Sequence, residues 1–150
     1  METKDELQRY IFGEIFLISN RLQTIGDEFL GEVTTKQWFF LVVIAEFFKE
    51  EAPSISEIAA RMGTSRQNVK QIALKLEKKG FVIISKDEKD SRILRVTITE
   101  KSMVYWQNRY EKDDEFMQHI FRNMDEKELF QMFNSLDKFL NNISSLKSEK

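Results

Sequence analysis

Apolar residues recur at helical spacing over most of the chain and give way to strand-like runs at one place. Over 4–25, Leu7, Tyr10, Ile11, Ile15, Ile18 and Leu22 fall three or four residues apart, which predicts a first helix. A second helix follows Thr34 and carries Trp38, Leu41, Val42, Ala45 and Phe48. A short third helix spans 54–62 and stops at Gly63, a residue suited to the left-handed cap position. A fourth starts at Thr64 and stops at Gly80, with Val69, Ile72, Ala73 and Leu76 facing inward. Helix starts are marked by capping boxes, in which a side-chain oxygen and a Gln or Glu three residues on satisfy orphan amides reciprocally. Thr34 with Gln37, Ser54 with Glu57, Thr64 with Gln67 and, more loosely, Asp125 with Glu128 fit that pattern.

After Gly80 the period changes. Phe81-Val82-Ile83-Ile84 and Ile93-Leu94-Arg95-Val96-Thr97-Ile98 are β-branched and apolar and read as two strands. The polar stretch 85–91 between them reads as a solvated hairpin tip. A long helix then runs from near Thr99 to about Phe121. A last one after Asp125 carries Leu129, Met132, Phe133, Leu136, Phe139, Leu140 and Ile143. One proline and five glycines leave few breaks, which favours helices. The predicted architecture is mainly α with a small β-hairpin wing.

Composition narrows the chemistry. The chain has no cysteine and one histidine, His119, so disulfides, thiolate zinc sites and cofactor or metal chemistry are not expected. No apolar run nears the ~20 residues that span a bilayer, and the charged start is unlike a signal peptide, so a cytoplasmic protein without a membrane partner is expected. No nucleophile–base pair, phosphate loop or paired-carboxylate site emerges, and no enzyme is predicted. Asp113, Asp114 and Glu115 read as a solvated helix face. The net charge of −2 hides a division. From Arg61 to Lys101 there are 11 Lys/Arg against 5 Asp/Glu, a balance of +6, while the remainder has 12 against 20, a balance of −8. A positive segment in an acidic chain reads on charge alone as either a local footprint for a polyanion or a solvated charge run.

The third and fourth helices, joined at Gly63, form a helix-turn-helix pattern. The second helix of such a unit lies in the major groove with its first residues toward the bases. Here those are Thr64, Ser65, Arg66, Gln67, Asn68, Lys70 and Gln71. Arg can bond guanine bidentately, and Asn and Gln can bond adenine. Ser54, Lys75, Lys86 and Lys89 extend the DNA-facing set, while Lys78 and Lys79 face phosphates or only water. By itself the pattern is a weak signal and more often describes an ordinary surface helix. The hairpin sharpens it, because a charged tip directly after the reading helix is the winged form. Arg92 on that tip can enter a narrow minor groove, with Asp90 holding its guanidinium, although taken alone the pair reads more simply as a surface salt bridge.

Ser54-Ile55-Ser56-Glu57-Ile58-Ala59-Ala60-Arg61-Met62-Gly63, Leu76-Glu77-Lys78-Lys79-Gly80-Phe81-Val82, Asp87, Asp90-Ser91-Arg92 and Val96-Thr97-Ile98-Thr99 resemble the MarR family of bacterial transcriptional regulators. The resemblance covers nearly the whole chain. It implies a single MarR-type domain over 1–150, with a winged helix-turn-helix lobe over 34–98 and dimerisation helices over 1–30 and 99–150. It also implies a homodimer on a palindromic operator in double-stranded DNA, usually repressing. Many members release DNA when a small aromatic or anionic effector binds. Arg92 is then the wing-tip arginine and Asp90 its partner. One departure stands out: positions often basic in the family hold Ile83, Ile84 and Ser85 here.

Apolar residues at both ends support the dimer independently. Leu7 and Ile11 at one end, and Phe133, Leu136, Leu140 and Ile143 at the other, exceed what a small winged core can cover. Nine of 18 aromatics fall in the first 48 residues, and Phe16, Trp38 and Leu41 are candidate effector-binding residues, although plain core packing is the simpler account of them. Two alternatives remain open: a winged-helix protein-interaction module with no DNA role, and a DNA-binding regulator that answers to no ligand.

Overall fold

A computed structural model describes residues 3–148, with side chains through Leu146. Its described elements run α1 (Lys4–Leu30), α2 (Thr35–Phe47), α3 (Ile55–Met62), α4 (Arg66–Lys78), β1 (Val82–Lys86), β2 (Leu94–Ile98), α5 (Glu100–Ile120) and α6 (Glu126–Ser148). The chain packs as two compact units, one through Trp106 and one from Gln107. Among the described residues no helix is long and apolar enough to cross a membrane.

In the first unit, α2, α3, α4 and the hairpin close around one core. Phe40, Ile58, Val69, Leu76, Phe81, Val82 and Val96 lose all or nearly all contact with solvent. The four residues predicted inward on α4 are its buried residues. On α2 the inward face differs from the expected one. Gln37, Phe40, Leu41, Val43 and Ile44 are buried, whereas Trp38 and Ala45 are exposed. Residues 38–45 are apolar without interruption, so no period marks one side.

The first helix runs five residues past the expected end. Gly26, just past that expected end, lies inside α1 where it meets α2. The Thr35 hydroxyl donates to the Gln23 carbonyl (3.1 Å) and the Thr35 amide to Asp27 Oδ1 (2.6 Å). A Cβ on Gly26 would collide with that hydroxyl. The helix ends at Gly31, whose positive φ of 68° suits glycine.

The strands pair antiparallel, with Val82 opposite Ile98 and Ile84 opposite Val96. Val82 and Val96 therefore face the core, and Ile83 is left exposed. The hairpin is joined to the segment ahead of α3. The Val96 amide donates to the Pro53 carbonyl (2.9 Å), and Ser54 bridges Arg95. At its other edge the Ile84 amide donates to Glu77 Oε2 of α4 (2.8 Å). The wing and the two short helices are thereby one piece. In the second unit α6 exposes Phe133, Leu136, Leu140 and Ile143.

Candidate nucleic-acid interface

The turn between α3 and α4 is built locally. Ser54 caps α3 reciprocally with Glu57, as its spacing predicts. Gly63 adopts the left-handed conformation at φ 70°, ψ 32°. The start of α4 corrects the sequence reading. Its cap is Ser65, whose hydroxyl accepts from the Asn68 amide (3.1 Å), rather than Thr64 paired with Gln67. Because glycine reverses the chain at 63, the first residue able to take extended cap geometry with its oxygen over the helix is 65. Thr64 serves differently: its hydroxyl accepts from Asn68 Nδ2 (3.0 Å).

Arg66, Gln67, Lys70, Gln71 and Lys75 are exposed. None of these five hydrogen-bonds or ion-pairs through its side chain among the described residues. Their donors and acceptors point nowhere in the protein, on a helix whose other face is fully packed. Ser54 is half-buried and its oxygen is engaged as the α3 cap, which leaves the hydroxyl proton free.

Not every lysine of the positive segment belongs to this surface. Lys79 Nζ donates to the Glu32 carbonyl (2.5 Å) and to Gln37 Oε1 (3.0 Å), tying the end of α4 to the α1–α2 junction. Lys101 Nζ donates to the Lys79 carbonyl (2.7 Å) and lies over the Phe81 ring. The reading of Lys79 as phosphate- or water-facing is thus corrected. Its stem follows the chain reversal at Gly80 back onto the protein, where two carbonyl-type oxygens offer it partners.

The wing tip is held by two carboxylates. Asp87 accepts from the amides of Lys89 (3.1 Å) and Asp90 (3.0 Å) and from Arg95 Nε (2.5 Å). Arg95 also donates to the Ala52 carbonyl (2.8 Å), so this pair fastens the tip to the body. Asp90 receives Arg92 as a fork, Nε to Oδ1 and Nη2 to Oδ2, both 3.0 Å, and the Arg92 amide besides. The Arg92 side chain remains 88% exposed. Charge-assisted bonds hold both carboxyls below the usual carboxylate range, Asp90 first through the Arg92 side chain and Asp87 first through that of Arg95. Both guanidinium groups are correspondingly raised. Lys86 and Lys89 are exposed beside them. The Asp87–Arg95 pair was missed in the sequence. Its signal, opposite charges at the two bases of a hairpin tip, is legible only once the register is known.

The other candidates lie apart from this surface. Leu41 is buried in the core, Trp38 is on the edge of exposure, and Phe16 stands exposed on α1. Two clefts beside β2, walled by the 48–53 segment, are lined by none of the three. Leu7 and Ile11 are exposed on α1.

Residues 32–93 match the MarR family model. The transcriptional activatory protein BadR of Rhodopseudomonas palustris is 27% identical over 108 residues, 71% of this chain and 62% of BadR, so this chain spans less than two thirds of that relative. The fold matches the Staphylococcus aureus MepR–DNA complex with a TM-score of 0.73 and 21% identity over 95% of this chain and 99% of that one. It matches an organohalide-sensing transcriptional regulator in its 2,4-dichlorophenol-bound form with a TM-score of 0.78 and 16% identity, covering 95% of this chain and 86% of the other. At these identities the structural likeness establishes the winged-helix fold.

Proposed function

We propose that this chain, a transcriptional regulator of the MarR family, binds a palindromic operator as a homodimer, represses from it, and is released by a small aromatic or anionic effector. The observation that carries the DNA reading is the Asp90–Arg92 fork. A guanidinium held at two of its nitrogens yet 88% open to solvent adds little to the stability of its own fold. Exposed ion pairs contribute under ~1 kcal/mol, but a pre-aimed cation on a protruding tip suits the negative potential of a minor groove. The unspent polar groups of Arg66, Gln67, Lys70 and Gln71, and those Asn68 keeps beyond its bond to Thr64, suit the major groove.

Fluorescence anisotropy with palindromic and mixed duplexes at two salt concentrations tests this reading. Binding is expected at ~50 mM salt, where the phosphate contribution is strong. Its absence there would sink the DNA role and leave a protein-interaction module. Arg92→Ala is expected to weaken binding and lower the salt slope by about one. An unchanged slope removes Arg92 from the duplex.

The effector is proposed to sit against Phe16 and Trp38. Support comes from their exposure on α1 and α2 and from the fold relative solved with 2,4-dichlorophenol. Burial of Leu41 favours the second reading, a regulator answering to no ligand. A thermal-shift screen with small aromatic acids and phenols separates them, since a ligand of the folded state raises the melting temperature. Reporter expression with and without the gene decides repression against activation.

A further inference from the structure

The reading helix offers five side chains with no internal partner and one that is already fixed. Arg66, Gln67, Lys70, Gln71 and Lys75 are free to swing. Asn68 is bound twice: its amide N–H goes to Ser65 Oγ (3.1 Å), and its side-chain Nδ2 goes to Thr64 Oγ1 (3.0 Å). It is nonetheless exposed. A side chain whose rotamer is set before binding loses less freedom on docking than a free one, and its orientation selects what it can bond.

We propose that Asn68 is the specificity-determining residue of this helix, that it reads an adenine, and that Thr64 is its positioning residue. The proposal rests on the DNA reading above. The hydrogen-bond inventory decides the base. An asparagine amide has two N–H donors and an acceptor oxygen. One donor is spent on Thr64, which leaves one donor and the Oδ1 acceptor for the groove. Adenine presents N7 as acceptor and N6 as donor on its major-groove edge, the complement of that pair. Guanine presents two acceptors, N7 and O6, and would set O6 against Oδ1. Thymine offers O4 as acceptor and cytosine N4 as donor, each satisfying half the pair.

Thr64 has a second part. Its oxygen accepts from Asn68, so its hydroxyl proton points away from that bond and is free to donate. Just before the cap of a helix that enters the groove, the acceptor in reach is a phosphate oxygen. One bond thus links a backbone contact to a base contact. The amide orientation is the crux. Turned over, Asn68 would accept from the Thr64 hydroxyl and present two donors, which fit guanine.

The test is selection of bound fragments from random duplex DNA, with base preferences compared among the wild type, Asn68→Ala, Thr64→Val and Thr64→Ser. The wild type is expected to select a half-site containing an adenine whose preference falls about tenfold in Asn68→Ala, other positions holding. Thr64→Val, isosteric but without the acceptor, is expected to weaken the preference at that same position and to lower affinity for every sequence. Thr64→Ser, which keeps the hydroxyl, restores the preference. Loss of a guanine preference in Asn68→Ala overturns the proposal, as does an unaltered profile or a Thr64→Val variant that leaves the adenine preference intact. A wild type that selects no sequence fails at the DNA reading itself, a result distinct from selection that ignores Asn68.

Discussion

At the scale of residues, the wing depends on carboxylates that stay ionised. Asp90 is stabilised as a carboxylate first by the Arg92 side chain and then by the Arg92 amide, against raising influences from desolvation and, less, from Asp87. Its pKa in the folded state lies below the ordinary value. The ion pair is therefore intact above the ordinary carboxylate range and is lost as pH falls through the lowered value. No change in Arg92 placement is expected near neutral pH, and loosening begins only in acid. NMR titration of the Asp90 carboxyl carbon checks this: the midpoint should lie below that of free aspartate and return upward in Arg92→Ala. A midpoint indifferent to that substitution would mean the fork does not persist in solution. The Asp90–Arg92 pair was readable from sequence because a single residue, Ser91, separates the partners on a tight tip. Arg95 was not readable, because its partners Asp87 and Ala52 reach it through pairing across the hairpin and from a distant segment.

At the scale of elements, the sequence marks helix starts better than helix faces. The boxes at Ser54 and Thr34 and the reciprocal pair of Asp125 and Glu128 stand as their spacing predicts. They are local, and a span of four residues suffices to define them. The start of α4 slipped by one residue because Thr64 and Ser65 are both competent caps, and the backbone reversal at Gly63 chose between them. Lys79 shows the other limit. A charge count treats every lysine as a solvent group, yet this one joins the last turn of α4 to Glu32 and to Gln37, which is only 5% exposed. Lys79→Met keeps the stem and removes the ammonium. Hydrogen bonds to charged groups contribute ~1.5–3 kcal/mol when shielded and less at an exposed lysine, so urea unfolding should show a loss of about 1 kcal/mol. If α4 is the reading helix, affinity for DNA should fall while the salt slope stays that of the wild type, since the ammonium faces the protein. A slope lower by about one would place Lys79 on a phosphate instead.

At the scale of the whole molecule, the question is why a stable fold leaves so much apolar surface wet. On α1, Leu7, Tyr10, Ile11, Phe12 and Phe16 are exposed, and on α6 so are Phe133, Leu136, Leu140 and Ile143. Scattered exposed apolar residues are ordinary, but contiguous ones on a single helix mark an interface. Burying one such side chain completely is worth ~1.5–3 kcal/mol. With roughly half of each still to be buried, the six residues Leu7, Ile11, Phe133, Leu136, Leu140 and Ile143 supply ~5–9 kcal/mol per protomer, about twice that for a two-fold pair. That is comparable with the ~4–15 kcal/mol lost in association, so a second copy of this chain is a reasonable partner. Wild-type protein is expected to sediment as a dimer at micromolar concentration. Ile11→Glu and Leu136→Glu, each placing a carboxylate on these faces, should shift it toward monomer without a large fall in helix content. The monomers should then bind a full palindrome no more tightly than a single half-site, because the two reading surfaces no longer arrive together. A wild type that sediments as a monomer, or variants that keep the advantage for the full site, would leave these faces to some other partner.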